Sequence, residues 1–250
     1  MNHAASVFYR FLQQHALPRL RQRGNQLLGR QCFACGIRAS QAICASCYGQ
    51  ITRPAICCRV CGLAMTGHSQ DSRCKACIEN PPAFHALYCA GNYQGLLAEA
   101  IVAAKIARQP AAIEALLLIQ QRALSQLDAS IFADYTVLPM PTPKLRLMQR
   151  GFNLPALLAN QLAKQWQLTR LPDTVVKLPL SAPKQALMNA KQRQKHRHLY
   201  QISDKLPKKI LLVDDIITTG QTLNSLAKAT QQHGAQSLAV WVLARTQLKP

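Results

Sequence analysis

The sequence predicts an α/β protein in which a mostly parallel, doubly wound sheet follows a small cysteine-rich module. Three observations carry this. Eight of the ten cysteines stand as C-x-x-C pairs in the N-terminal third. Short apolar runs alternate with longer helical patterns through the rest of the chain, as a parallel sheet with crossover helices requires. The run Ile210 to Val213 ends in Asp214 and Asp215, then turns through Thr218-Thr219-Gly220-Gln221-Thr222 into the helical stretch Leu223 to His233.

Residues 1–29 carry arginines and no acid, with Val7, Phe8, Phe11 and Leu12 on one helical face, and read as a basic amphipathic helix lying on the domain behind it. A secretory signal would need an apolar core and a small-residue cleavage site, which this stretch lacks; an organelle transit peptide is the alternative. No apolar run approaches the roughly 20 residues of a membrane span, so membrane insertion is not expected. The formal net charge of +20 at pH 7 calls for an anionic partner, nucleic acid or phosphates.

Residues 30–80 form the metal module. The pairs are Cys32/Cys35, Cys44/Cys47, Cys58/Cys61 and Cys74/Cys77. A C-x-x-C turn aims two sulfurs at one tetrahedral metal and a second pair completes the shell, so two structural Zn2+ sites are expected, paired sequentially or crossed. A disulfide framework would need an oxidising compartment, which nothing here indicates. Gly36 and Gly62 follow the knuckles where positive φ is favoured. Cys57 and Cys89 stand outside the pairs; Cys57 could replace Cys58 in a looser arrangement, and Cys89 reads as a buried thiol. Because such a module buries little apolar surface, chelation is expected to unfold residues 30–80 and spare the rest.

Pro81-Pro82 marks the linker to a domain spanning residues 84–250. Ala86 to Tyr93 reads as a strand or hairpin, Leu96 to Ala107 and Ala111 to Leu127 as helices broken near Pro110, and Tyr135 to Leu138 as a strand. The loop Pro139-Met140-Pro141-Thr142-Pro143 lacks N–H donors at its prolines, so Thr142 and Lys144 are its candidate phosphate contacts, a simple rigid turn being the alternative. Arg150-Gly151-Phe152-Asn153 then leads into a helix from Leu154 to Gln165. Lys184 to His198 holds Lys184, Lys191, Arg193, Lys195 and Arg197 and no acid. It reads as a mobile flap, a nucleic-acid contact or a solvated helix face. Tyr200 is the only aromatic nearby, so phosphate contact fits better than base stacking. Leu238 to Ala244 is a further strand.

Ligands of open α/β sheets bind outside the carboxyl ends of the strands, where Asp214 and Asp215 lie. Thr218, Thr219 and Thr222 offer hydroxyls, Gly220 a permissive backbone, and the helix start exposed N–H groups for a phosphate. A receiver-type phosphoacceptor pocket also begins with paired aspartates after a strand, but too few residues follow Asp215 to complete one.

Lys209 to Leu223 resembles the 5-phosphoribosyl-1-pyrophosphate (PRPP) motif of type I phosphoribosyltransferases. Together with the cysteine module and Arg150 to Asn153 after a proline-containing loop, the chain from Cys32 to Arg245 resembles the ComF family, including GntX-type DNA-utilisation proteins. Lys105, Gln185, Leu187 and Arg193 match positions of that family, whereas His196 stands in place of asparagine and Lys177 in place of arginine. The resemblance implies a type I phosphoribosyltransferase sheet behind a double zinc ribbon, in the bacterial cytoplasm. It implies that Asp214 and Asp215 are catalytic and bind the ribose hydroxyls, and that Thr218, Thr219, Gly220, Gln221 and Thr222 hold the 5-phosphate. Mg2+ would accompany PRPP, and Thr142, Lys144 and Arg150 would face the pyrophosphate. Thr218 stands where purine-specific relatives carry an acid, which argues against a purine acceptor. The function implied is phosphoribosyl or nucleotide handling in competence and DNA utilisation, with single-stranded DNA and competence or recombination proteins as partners. The alternative is a non-catalytic DNA-binding or adaptor protein with a degenerate PRPP pocket.

Overall fold

A computed structural model describes residues 30–67, 72–178, 200–203 and 205–247. Four parallel strands, β1 (Ala86–Asn92), β2 (Thr136–Pro139), β5 (Lys209–Ile217) and β6 (Ser237–Arg245), lie in the order β1-β6-β5-β2. β5 and β6 are the buried centre. Ile210 to Val213 and Leu238 to Ala244 are apolar without alternation and fully buried, as strands covered on both faces must be. A two-stranded antiparallel pair, β3 (Val176–Lys177) with β4 (Gln201–Ile202), lies apart from this sheet.

Helices cover both faces. On one lie α3 (Gly95–Lys105), α4 (Pro110–Leu124) and α6 (Leu154–Trp166), packed with Leu211, Val213, Ala239 and Trp241. Pro110 and Pro155 sit in the first turns of α4 and α6, where a missing N–H costs nothing. α7 (Gln221–Gln232) takes the other face, its Leu223, Leu226 and Ala227 meeting Ile210, Leu212 and Val240. Gln120 is fully buried on α4. It accepts from Trp241 Nε1 at 2.9 Å and donates to the Leu158 carbonyl at 2.9 Å and to Gln161 Oε1 at 2.8 Å. Gln120→Leu leaves the indole N–H unpaired, so a loss of about 1–3 kcal/mol in denaturant unfolding is expected.

The cysteine module carries two one-turn helices, α1 (Ala45–Gly49) and α2 (Lys75–Glu79). It does not stand off from the sheet. Cys32, Ile43 and Cys47 join the core on the α4 face, and Cys58, Val60 and Cys77 join the core on the α7 face. The chain between the two halves runs along the edge of β1: Thr52 O accepts from Asn92 N, Arg53 Nε donates to Ala90 O, and Arg59 O accepts from Leu87 N. An otherwise open edge is thereby covered. Pro81-Pro82 leads from this module into β1, and the independence expected of residues 30–80 is set against cores they share with the sheet.

The expected elements appear at shifted limits. β5 continues through both aspartates to Ile217 instead of ending at Val213, and α7 begins at Gln221 instead of Leu223. Residues 86–92 form a strand, not a hairpin. The helix proposed over residues 1–29, the matching positions Gln185, Leu187 and His196, and the flap residues Lys184, Lys191, Arg193, Lys195 and Arg197 lie outside the described residues.

Candidate functional site

The cysteines settle into sequential pairs. Cys32, Cys35, Cys44 and Cys47 form one group and Cys58, Cys61, Cys74 and Cys77 the other, with all ligand sulfurs of a group within 4.8 Å of one another. Cys35 Sγ lies 3.9 Å from Cys44 Sγ, and Cys61 Sγ 3.7 Å from Cys74 Sγ. A tetrahedron with Zn–S near 2.3 Å has edges of about 3.8 Å, so both groups fit structural zinc. Gly36 and Gly62 take φ of 72° and 71°, as their knuckles require. Burial would raise Cys32 and Cys58, but N–H groups aimed at their sulfurs hold them down, Cys32 at about 6 and Cys58 at about 7. Each group therefore offers a ready thiolate as a first ligand. Cys57 and Cys89 belong to neither group; Cys57 is exposed and Cys89 half-buried.

The second site opens at the carboxyl ends of the strands. Neighbouring residues of a strand point to opposite faces, so the two aspartates do not stand side by side. Asp215 faces α3, where Lys105 Nζ meets its Oδ1 at 2.7 Å. Asp214 faces the α7 side, near Tyr200. Its Oδ1 accepts from the Asp215 N–H at 2.8 Å. Burial first, then the charge of Asp215, pushes the Asp214 carboxyl up to about 8, with Lys105 opposing the shift. Lys105→Met strands the Asp215 carboxylate without its cation. A destabilisation of roughly 3–5 kcal/mol is expected, read from urea unfolding at pH 7.

Beyond Ile217, Thr218, Thr219, Gln221 and Thr222 are exposed around the start of α7. Gly220 caps that helix with φ of 77°, and an added Cβ would stand 3.3 Å from Ile217 Cδ1. Gly220 offers no side-chain cap, no acid occupies the first turn of α7, and the Gln221 N–H makes only a long bond of 3.4 Å to Thr219 Oγ1. The result is a weakly capped helix start, ringed by hydroxyls, beside two carboxylates, which suits a phosphate next to a polyol.

The proline-rich loop is held in place by the Arg150 to Asn153 segment. Met140 N donates to Val213 O at 2.8 Å, Thr142 Oγ1 donates to Asn153 Oδ1 at 2.8 Å, and Asn153 Nδ2 donates to Met140 O at 3.4 Å. Asn153 thus shapes the loop and engages the Thr142 hydroxyl. Lys144 begins and Arg150 ends α5 (Lys144–Arg150), a helix without a buried residue that also exposes Leu145, Leu147 and Met148. Two contributors take roles that their place in the sequence does not reveal. Tyr200 is buried rather than available for stacking, and its hydroxyl donates to Thr222 O at 3.4 Å. Arg245, at the end of β6, donates to the carbonyls of Ile217 and Thr218.

A parallel sheet whose strand runs through two aspartates into a hydroxyl-lined, weakly capped helix start defines a protein of phosphoribosyltransferase fold. Residues 149–249 match the phosphoribosyl transferase domain family. Competence protein F of Haemophilus influenzae is 26% identical over 214 residues, which covers 83% of this chain and 92% of that protein. DNA utilization protein YhgH of Salmonella typhi is 26% identical over 209 residues, 82% of this chain and 90% of the relative, and its namesake from Escherichia coli is 26% identical over 210 residues, with the same shares. The chain is thus similar to ComF-type proteins over most of its length and carries a phosphoribosyl transferase domain behind paired four-cysteine groups that fit a double zinc ribbon. No helix among the described residues is long and apolar enough to cross a membrane.

Proposed function

We propose that this chain binds PRPP with Mg2+ at the carboxyl end of β5 and serves DNA uptake or utilisation in the cytoplasm through phosphoribosyl or nucleotide handling. The observation that carries the proposal is the weakly capped start of α7 beside Asp214 and Asp215. Thr218 to Thr222 hold the 5-phosphate through N–H groups and hydroxyls, and the aspartates take the ribose hydroxyls. Carboxylates are hard oxygen donors suited to Mg2+, which neutralises pyrophosphate charge when bound. Lys144 and Arg150 reach the pyrophosphate, and in group transfer the aspartates steady the developing positive charge on the ribose. Two structural zinc ions fill the cysteine groups, and the relatives' names direct the proposal to DNA.

A second reading is favoured by α5, whose lysine and arginines stand beside exposed Leu145, Leu147 and Met148. Such a surface suits single-stranded DNA or a protein partner without catalysis. Pyrophosphate release from PRPP that disappears in Asp214→Asn/Asp215→Asn supports the enzyme. Single-stranded DNA affinity that falls steeply with salt and survives the same double change, without any pyrophosphate release, supports the binding protein.

A further inference from the structure

Arg245 closes β6 and is only 2% exposed, yet among the described residues its guanidinium meets carbonyls and no carboxylate. Nε donates to the Cys61 carbonyl at 2.6 Å. Nη1 donates to the carbonyls of Ile217 at 3.2 Å, Thr218, and Thr246 at 3.1 Å. Cys61 belongs to the second four-cysteine group, and Ile217 and Thr218 open the phosphate loop. One planar side chain therefore clasps a zinc knuckle on one edge and the loop on the other.

The surroundings fix that clasp. Gly62, next to Cys61, lies against the arginine stem: a Cβ there would stand 3.5 Å from Arg245 Cγ and 2.8 Å from Leu87 Cδ2. Gln247 ties down the same knuckle, donating to Gly62 O at 3.2 Å and accepting from Ala64 N at 2.8 Å. The first group makes a different attachment. Its region is held by Arg122 of α4, which donates to Gln41 and to Ile43 O at 3.4 Å and lies over the Tyr48 ring at 4.8 Å. The two groups look equivalent in sequence and serve different neighbours.

We infer that the second zinc group is a working part of the phosphate loop, with Arg245 as the positioning residue that passes the geometry of the loaded knuckle to Ile217 and Thr218. The inference rests on reading Thr218 to Thr222 as the phosphate loop. Its physical basis is the cost of a buried guanidinium, which carbonyl dipoles alone offset poorly. Four thiolates around one Zn2+ carry a charge of about −2, which makes the loaded group the counter-charge that Arg245 lacks among its contacts with the described residues. Without the metal the four thiolates are no longer gathered at one point, that counter-charge is weakened, the guanidinium is drawn to water, and the loop carbonyls lose their shared donor. Phosphate affinity then depends on the second group and not on the first.

Calorimetric titration of PRPP with Mg2+, paired with hydrogen exchange of amides 216–222, tests this on the full chain and on Cys35→Ser, Cys74→Ser and Arg245→Lys. Cys74→Ser and Arg245→Lys are expected to lose loop protection and about 10-fold or more in PRPP affinity, the loss typical of removing a group that supports a metal site. Cys35→Ser is expected to keep both while losing zinc from the first group. Arg245→Lys retains the charge but cannot donate from two fixed nitrogens, which separates geometry from charge. Equal effects of Cys35→Ser and Cys74→Ser, or undiminished loop protection in Arg245→Lys, would overturn the inference. Loss of loop protection confined to Cys74→Ser and Arg245→Lys, in a protein whose unmodified form binds no PRPP, would sink the PRPP reading and leave the coupling standing.

Discussion

Removal of zinc by a strong chelator is expected to lower the stability of the whole chain and not only of residues 30–80. Binding of structural zinc at a thiolate site contributes roughly 10–16 kcal/mol to the folded form of small zinc modules at pH 7. Here the metal-holding residues are embedded in the sheet's own cores. Cys32 and Cys47 pack on the α4 face with Ile43, and Cys58 and Cys77 on the α7 face with Val60 and Leu87. Loss of either group therefore loosens one border of a core that the module shares with the sheet and lowers overall stability. Thermal unfolding followed by circular dichroism, with and without chelator, should show one transition displaced to lower temperature. A surviving high-temperature transition with most of the helical signal would mean that residues 84–250 stand alone, as the little apolar surface expected of residues 30–80 first implies.

Asp214→Asn is expected to stabilise the protein at alkaline pH and to abolish PRPP binding. Burial, then the charge of Asp215, raises the folded-state value of Asp214 from 3.8 to about 8. Between those values the folded chain keeps a proton that the unfolded chain has released, so stability falls as pH rises through this window and levels off above it. The amide of asparagine removes that dependence. The variant should match the parent near pH 4 and exceed it near pH 9 by several degrees, at roughly 2–4 °C per kcal/mol for a chain of this size. A residue that weakens its own fold when charged is consistent with selection for a ligand, because nearby cations and ribose hydroxyls favour the ionised form. Equal melting temperatures at pH 9 would show that Asp214 is not held in the environment described.

How much of this was legible in the sequence follows from the range of the interactions. β5, its aspartates and the Thr-Gly loop are contiguous, and an apolar run followed by charge and turn residues specifies a strand edge and a helix start locally. The four-cysteine groups were legible for the same reason, although spacing alone left sequential and crossed pairing open and three-dimensional proximity decided for sequential. The face of each aspartate was legible only once β5 was known to run through Asp214 and Asp215, since an early strand end would have left both in a loop. Lys105 came from family likeness, and its role as the ion-pair partner of Asp215 spans 110 residues of sequence. Arg245 escaped notice because it terminates an apolar strand like a solvent-facing end residue. Its contacts with Cys61 and Thr218 arise from the parallel register of β5 and β6 and from the knuckle laid across their ends. Tyr200 likewise reads as part of a basic stretch, while its hydroxyl is spent on Thr222.

The central claim is that the loop after β5 is a working PRPP site, and calorimetric titration of PRPP with Mg2+ into the zinc-loaded protein tests it most directly. Saturable binding that disappears in Asp214→Asn/Asp215→Asn is the result expected. Absence of heat at millimolar ligand, with the protein folded and both zinc ions present, would contradict the claim and leave the zinc groups and the basic α5 surface as the functional parts.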